Sequence, residues 1–317
     1  MNRDRIRNFP VSFFAVSMGL TGVVLMAEKM GHIVAVPSFL PSFILFLSLA
    51  VFILIGGLYL SKVLLYPQVV AKELVHPVKM HFLPTFSVSL LLLSVASLAG
   101  YPGLSRALWI LGTVSHLILT LYTLSSWVQH QHFEIHHANP SWFIPILGNL
   151  VVPVAGVAHA PFALNWFFFS VGLFFWILLF AVLLNRIIFH HPLAEKLVPT
   201  FFILMAPPAV AFISYVKLTG RVDLFAHSLY SLAIFMFLMI MSQWRLFSRI
   251  RFYLSWWAYS FPLAALGLAS FLMYSKTGVG IYLYGWGFLF IFLLAVVKVL
   301  LFLTTKHILA GEICVEE

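Results

Sequence analysis

Charge is what this 317-residue chain has least of: Asp, Glu, Lys and Arg together make up 9% of it. A soluble domain carries roughly 25% charged residues, because its surface must be hydrated. So little charge cannot clothe a soluble protein of this size. Cysteine is nearly absent as well, and the single Cys314 excludes an intrachain disulfide. No basic run with interleaved aromatics occurs, so the excess of 18 Lys/Arg over 9 Asp/Glu does not point to nucleic acid. It reads as an orientation signal and as anchorage to lipid headgroups.

What fills the chain instead is apolar: 62% hydrophobic residues and a mean hydropathy of +1.05. Lipid must be the solvent for most of the surface, and backbone polar groups must then be satisfied within helices or a closed barrel. The apolar runs are continuous rather than alternating, which selects helices. The opening MNRDRIR followed by FPVSFFAVSMGLTGVVLMA has the outline of a signal peptide, but many hydrophobic segments follow it, so it reads as a first span. Stretches free of charge mark the rest. The one from 135 to 185 is too long for one crossing of about 20 residues, and it divides at Gly156-Val-Ala-His-Ala-Pro161. Ten spans result, about 9–27, 42–65, 82–99, 105–128, 142–157, 163–189, 197–216, 222–243, 253–275 and 279–304, in one transmembrane domain covering 1–317. An even number puts both termini on one side. Lys29, Arg106, Lys217, Arg221 and Lys276 then share the opposite face, while most other basic residues lie with the termini, which the positive-inside rule places in the cytoplasm. Trp127, Trp142, Trp166, Trp244, Trp256 and Trp257 lie near span ends, as an interfacial aromatic belt requires.

Proline is absent from every even-numbered span, whereas Pro10, Pro84, Pro145, Pro153, Pro199, Pro207, Pro208 and Pro262 fall in odd-numbered ones. A proline inside a helix removes a backbone hydrogen bond and kinks it. The freed carbonyls are tolerable at membrane depth only where protein or a water-filled cavity satisfies them. The expectation is five helical hairpins, with kinked odd helices inside and straight even helices outside. The inner spans carry small polar groups (Ser12, Ser17, Thr85, Ser87, Ser89, Asn149, Thr200, Ser214 and Ser260) but no Asp, Glu, Lys, Arg or His in their interiors. A proton-coupled pump needs an intramembrane relay, so this absence favours a passive conduit, and it leaves no groups for intramembrane enzyme chemistry.

Five segments carry a resemblance over essentially the whole chain: FPVSFFAVSMGL at 9–20, HPVKMHFLP at 76–84, NPSWFIPILGN at 139–149, LVPTFFILMAPPAVAFISY at 197–215 and WWAYSFPLAALGLAS at 256–270. In this order and spacing they resemble the TehA / plant slow-anion-channel family of tellurite-resistance/dicarboxylate transporters. The resemblance implies an all-α integral membrane protein of ten helices, five inner ones around a central pore and five outer ones. It also implies homotrimers with a pore in each subunit and, for a bacterial homologue, the inner membrane. A phenylalanine of the ninth helix plugs the pore in that family, and Phe261, between Ser260 and Pro262, is the matching residue. A ring across an apolar neck excludes water, and its weakly positive edge penalises an anion less than a cation. Gly19 matches a first-helix glycine, whereas Ala15 stands where many members have another. Phe14, Phe86 and Phe212 are further candidates for lining the pore, with ordinary helix–helix packing as the alternative.

Two other signals carry less. His130, His132, His136 and His137 surround a loop with only Glu134 as carboxylate, short of a four-ligand metal site. His116 and His227 lie in even-numbered spans and read as neutral, hydrogen-bonded helix or subunit contacts. No metal or cofactor is expected. The functional expectation is a gated passive channel for small monovalent anions such as chloride and nitrate, with the alternative of a secondary carrier for C4-dicarboxylate, sulfite or tellurite-related oxyanions.

Overall fold

The computed structural model describes residues 3–33, 37, 39–129 and 133–315, and among them every regular element is helical. Ten helices dominate: α1 Phe14–Met30, α2 Phe39–Leu65, α3 Thr85–Ser97, α4 Pro102–Gln129, α5 Ile144–Gly156, α6 Phe162–Phe189, α7 Ala206–Thr219, α8 Leu224–Ser242, α9 Ser260–Thr277 and α10 Gly280–Ala310. Nine of these stretches, counted with the 3₁₀ turns that precede some of them, are long and apolar enough to cross a bilayer. Pro140–Gly156 is apolar but shorter.

The odd-numbered helices have a composite build. Each is preceded by a 3₁₀ segment, namely Val11–Phe13, Lys79–Phe82, Pro140–Phe143, Glu195–Met205 and Leu254–Tyr259. The prolines expected to break these helices mostly stand at such junctions. Pro10 precedes the first 3₁₀ turn, Pro84 caps α3, Pro145 is the second residue of α5, Pro207 and Pro208 lie in the first turn of α7, and Pro262 lies in that of α9. Pro199 lies inside a 3₁₀ segment, and Pro153 alone sits within an α-helix body. The physical reason is that the first N–H groups of a helix have no intrahelical acceptor, so a residue lacking that donor costs nothing there.

Burial separates the two sets. In the composite stretches counted as spans, 72–89% of the most apolar window is buried, against 22–39% in α2, α4, α6, α8 and α10. Among the odd helices, α1 touches α3, α3 touches α5, α5 touches α7, α7 touches α9, and α9 returns to α1. Their 3₁₀ segments touch in the same closed order. Each exposed helix packs on the buried helix before it in the chain.

Close approach of α1 to α9 depends on Gly19, where a Cβ would stand 2.3 Å from Ser260 Oγ and 3.0 Å from Trp257 Cε3. Lys29, which the sequence placed beyond the first span, belongs with Glu28 to the last turn of α1. The aromatic belt also needs correction. Trp166 and Trp244 are exposed, but Trp142 and Trp257 are buried. Trp257 donates its indole N–H to Thr304 Oγ1 at 2.9 Å, and Trp142 stacks on buried His81 with ring centroids 4.8 Å apart. A tryptophan near a helix end is drawn inward when its N–H or its ring finds a partner there.

Candidate functional site

Where the 3₁₀ segments meet, the molecule holds a vestibule of about 480 Å³ and, adjoining it, a throat of about 40 Å³. Ser12, Phe82, Leu254 and Ser255 line both. The throat takes side chains from all five composite stretches: Ser12, Ala15 and Met18 from the first, Phe82 and Thr85 from the second, Ile144 and Leu147 from the third, Ile203 from the fourth, and Trp257, Phe261 and Pro262 from the fifth. None of α2, α4, α6, α8 or α10 contributes. A water needs about 10–15 Å³ of such space, so the throat has room for roughly three, too few to carry an ion with its hydration shell. Its walls are almost wholly apolar.

The vestibule has the opposite character. Arg7, Lys62, Lys72, Lys79 and Lys196 line it against Glu73 and Glu312. A cleft of one sign raises the local concentration of the opposite ion. Lys62 is 1% exposed; its ammonium donates to Glu73 Oε1 at 2.6 Å and to the carbonyl of Phe9 at 2.8 Å. Tyr59 donates to the other oxygen of Glu73 at 3.1 Å. His76 also borders the vestibule, and its Nδ1 accepts from the backbone N–H groups of Val78 and Lys79. Burial, and then the positive charge of Lys79, holds this imidazole below its ordinary pKa. The thiol of Cys314, on the vestibule wall, is pushed up by burial.

Of the residues singled out in the sequence, Phe261, Pro262, Ser12, Thr85 and the departing Ala15 meet at the throat, and Pro10 borders the vestibule. Phe261 is 5% exposed. Phe14 and Phe86 do not line the throat. They stack with Phe52 and Tyr59 of α2, Phe14 lying 5.3 Å from Phe86 and 5.7 Å from Phe52. Phe212 packs on Tyr230 of α8 at 5.6 Å. These rings fill seams between buried and exposed helices. Gly19 and Ser260 lie against each other at the α1–α9 contact.

Asn149 also turns away from the throat. Its amide donates to Thr120 Oγ1 at 3.2 Å and to the Pro145 carbonyl at 3.0 Å. His116 of α4 completes this buried network, its Nε2 3.0 Å from the same carbonyl and its Nδ1 2.9 Å from Ser87 Oγ. A carbonyl can only accept, so Nε2 carries the proton, and the unprotonated Nδ1 shares the one hydroxyl proton of Ser87 with the Pro84 carbonyl, which lies 2.9 Å from the same oxygen. Gly148 makes room for the imidazole, since a Cβ there would stand 2.1 Å from it. His227 lies exposed near the start of α8.

Sequence reasoning missed Phe82, Leu147, Ile203 and the Lys62–Glu73 pair. The apolar residues gave no signal among so many alike, and nothing in the sequence joined Lys62 to Glu73. Of the loop histidines, His130 and His132 lie outside the described residues, while His136 pairs with Glu134 at 3.2 Å. Among the described residues no group of three or more His, Cys, Asp or Glu side chains could hold a metal.

Known proteins bear on this arrangement. The chain is 28% identical over 273 residues to the S-type anion channel SLAH3 of Arabidopsis thaliana, a match covering 83% of this chain but only 42% of that protein. A second plant relative, SLAH2, is matched over 54% of its length, so the chain spans about half the length of these plant relatives. It is 26% identical over 303 residues to the Uncharacterized transporter MJ0762 of Methanocaldococcus jannaschii, covering 86% of this chain and 87% of that protein. It is 24% identical over 278 residues to the Tellurite resistance protein TehA homolog of Haemophilus influenzae, covering 86% and 84%. The family described as SLAC1, voltage-dependent anion channel, matches residues 8–306, and the chain belongs to that family of integral membrane proteins.

Proposed function

We propose that this protein is a gated passive channel for small monovalent anions, chloride and nitrate among them, and that the throat is its pathway. One observation carries the reading. A narrow apolar throat receives side chains from all five composite stretches and opens into a cationic vestibule. In this reading the ten helices form five hairpins, the odd helices line the pore, and Phe261 closes it as a hydrophobic gate. Anions gather at the vestibule and must shed water to pass, so easily dehydrated monovalent ions pass best. The orientation follows from the basic residues: vestibule and termini face the cytoplasm, in a bacterial cell across the inner membrane. A homotrimer with one pathway per subunit completes the proposal, its tests being crosslinking and mass measurement in mild detergent.

The discriminating experiment compares currents and fluxes of the purified chain in liposomes and planar bilayers. Anion current in nitrate and chloride that needs no proton gradient supports the channel. Saturable malate or sulfite uptake that follows a proton gradient, with both wild type and Phe261→Ala electrically silent, replaces it by a secondary carrier.

A further inference from the structure

At the starts of the buried helices, hydroxyl side chains follow a common habit. Thr85 donates to the carbonyl of Phe82 at 2.5 Å, Thr200 to that of Leu197 at 2.5 Å, and Ser260 to that of Trp257 at 2.6 Å. Each hydroxyl is spent on the carbonyl three residues back, a local bond that short hydroxyl side chains readily form. Ser255 is likewise committed, to the carbonyl of Lys196 at 2.6 Å. Ser12, within the 3₁₀ turn that opens the first composite stretch, departs from the habit. The carbonyl three residues before it belongs to Phe9, and there the ammonium of Lys62 sits at 2.8 Å, held by Glu73 at 2.6 Å. Ser12 is half-buried and lines both the throat and the vestibule. Of the three hydroxyls in the throat wall, its O–H is the one left uncommitted.

We propose that the Ser12 hydroxyl is the first protein ligand of an anion leaving the vestibule, a single hydrogen-bond donor for a partly dehydrated halide or nitrate, and that the Lys62–Glu73 pair keeps this donor available by taking one lone pair of the Phe9 carbonyl with a charged donor and so weakening it as an acceptor for Ser12. The inference rests on the throat being the anion pathway. An anion entering the throat loses water on its leading side, and apolar walls return nothing for it. A hydroxyl at the seam replaces one lost water where the loss begins. Lys62 is a positioning residue here: it touches the backbone behind Ser12 and acts through it.

The test uses the full chain in bilayers, with Phe261→Ala as the background, and reads the nitrate-to-chloride permeability ratio and the half-saturating chloride concentration. Loss of one hydrogen bond to a charged group should weaken anion occupancy roughly tenfold to a hundredfold. Ser12→Ala should therefore raise the half-saturating concentration by that factor and shift the permeability ratio. Ser12→Thr, which keeps the hydroxyl, should restore both. Lys62→Met combined with Glu73→Gln removes the ammonium without stranding the carboxylate, and lets Ser12 fall back on Phe9. It should reproduce the Ser12→Ala values, and adding Ser12→Ala to it should change nothing further. A merely structural role for Lys62 would lower the amount of folded channel while leaving the permeability ratio where it was. If the background variant conducts and Ser12→Ala leaves both readouts unchanged, the ligand role is overturned while the pathway stands. If the background variant carries no anion current, the pathway reading fails and this inference fails with it.

Discussion

Replacing Phe261 by alanine should open the throat, and the size of the effect can be worked from the geometry. The throat offers about 40 Å³, with Phe261 on its wall and 5% exposed. At 10–15 Å³ per water it admits about three waters, while the penalty for taking an ion out of water amounts to several kcal/mol even after relaxation. Removing the ring joins its volume to the throat and lets the water column pass the neck. If this relieves only about 2.7 kcal/mol of the barrier, conductance rises about a hundredfold, since each 1.36 kcal/mol is a factor of ten in rate. The same substitution costs stability. A buried Phe→Ala change destabilises by about 3–5 kcal/mol, and a ring that borders a cavity on one side should fall at the low end. Current should thus rise while the melting temperature falls, opposite signs that no general damage produces. The assay is two-electrode or bilayer current per channel at the membrane, with a thermal melt in detergent beside it. A Phe261→Ala protein that is folded, inserted and as silent as wild type in nitrate and chloride would refute the gate.

Three further outcomes follow from the packing and the vestibule. Gly19→Ala and Gly148→Ala should each lower thermal stability by about 1–3 kcal/mol through overpacking, the first by pushing α1 from Ser260 and the second by striking the His116 ring; equal melting temperatures for wild type and both variants would contradict these contacts. Lys62→Met should cost about 3–5 kcal/mol, because it strands the Glu73 carboxylate in a buried site. Adding Glu73→Gln should recover much of that loss, as seen in a melt series. His76 is held below its ordinary pKa, so the unfolded chain binds its proton first. Its stabilising contribution is present above the ordinary histidine value near 6.5 and is lost as pH falls below it toward the folded value. The vestibule gains this extra cation only at that lower pH, where anion current should rise, and His76→Gln should flatten both the acid limb of the stability curve and the current increase.

The chain by itself determined that it lives in lipid, that its regular structure is helical, roughly where the long helices lie and which of them are buried. Scarce charge leaves no other solvent, and the confinement of proline to alternate spans marks the helices whose backbone must be kept from lipid. Which face of a buried helix meets a cavity was not legible. These helices are apolar on all sides, so periodicity, which betrays the core face of a soluble helix, carries no direction here. Hence Phe14, Phe86, Phe212 and Asn149 stood beside Phe261 as further candidates for the pathway, and only the packing turned them toward α2, α4 and α8. Tertiary structure also decided that prolines begin helices more often than they bend them, because the 3₁₀ segments that precede them form only where five chain segments converge. It decided as well that Lys62, an unremarked span-end lysine in the sequence, reaches back across 53 positions to the Phe9 carbonyl. A long ammonium side chain finds its acceptor in space, and nothing in the local sequence of either residue encodes that meeting.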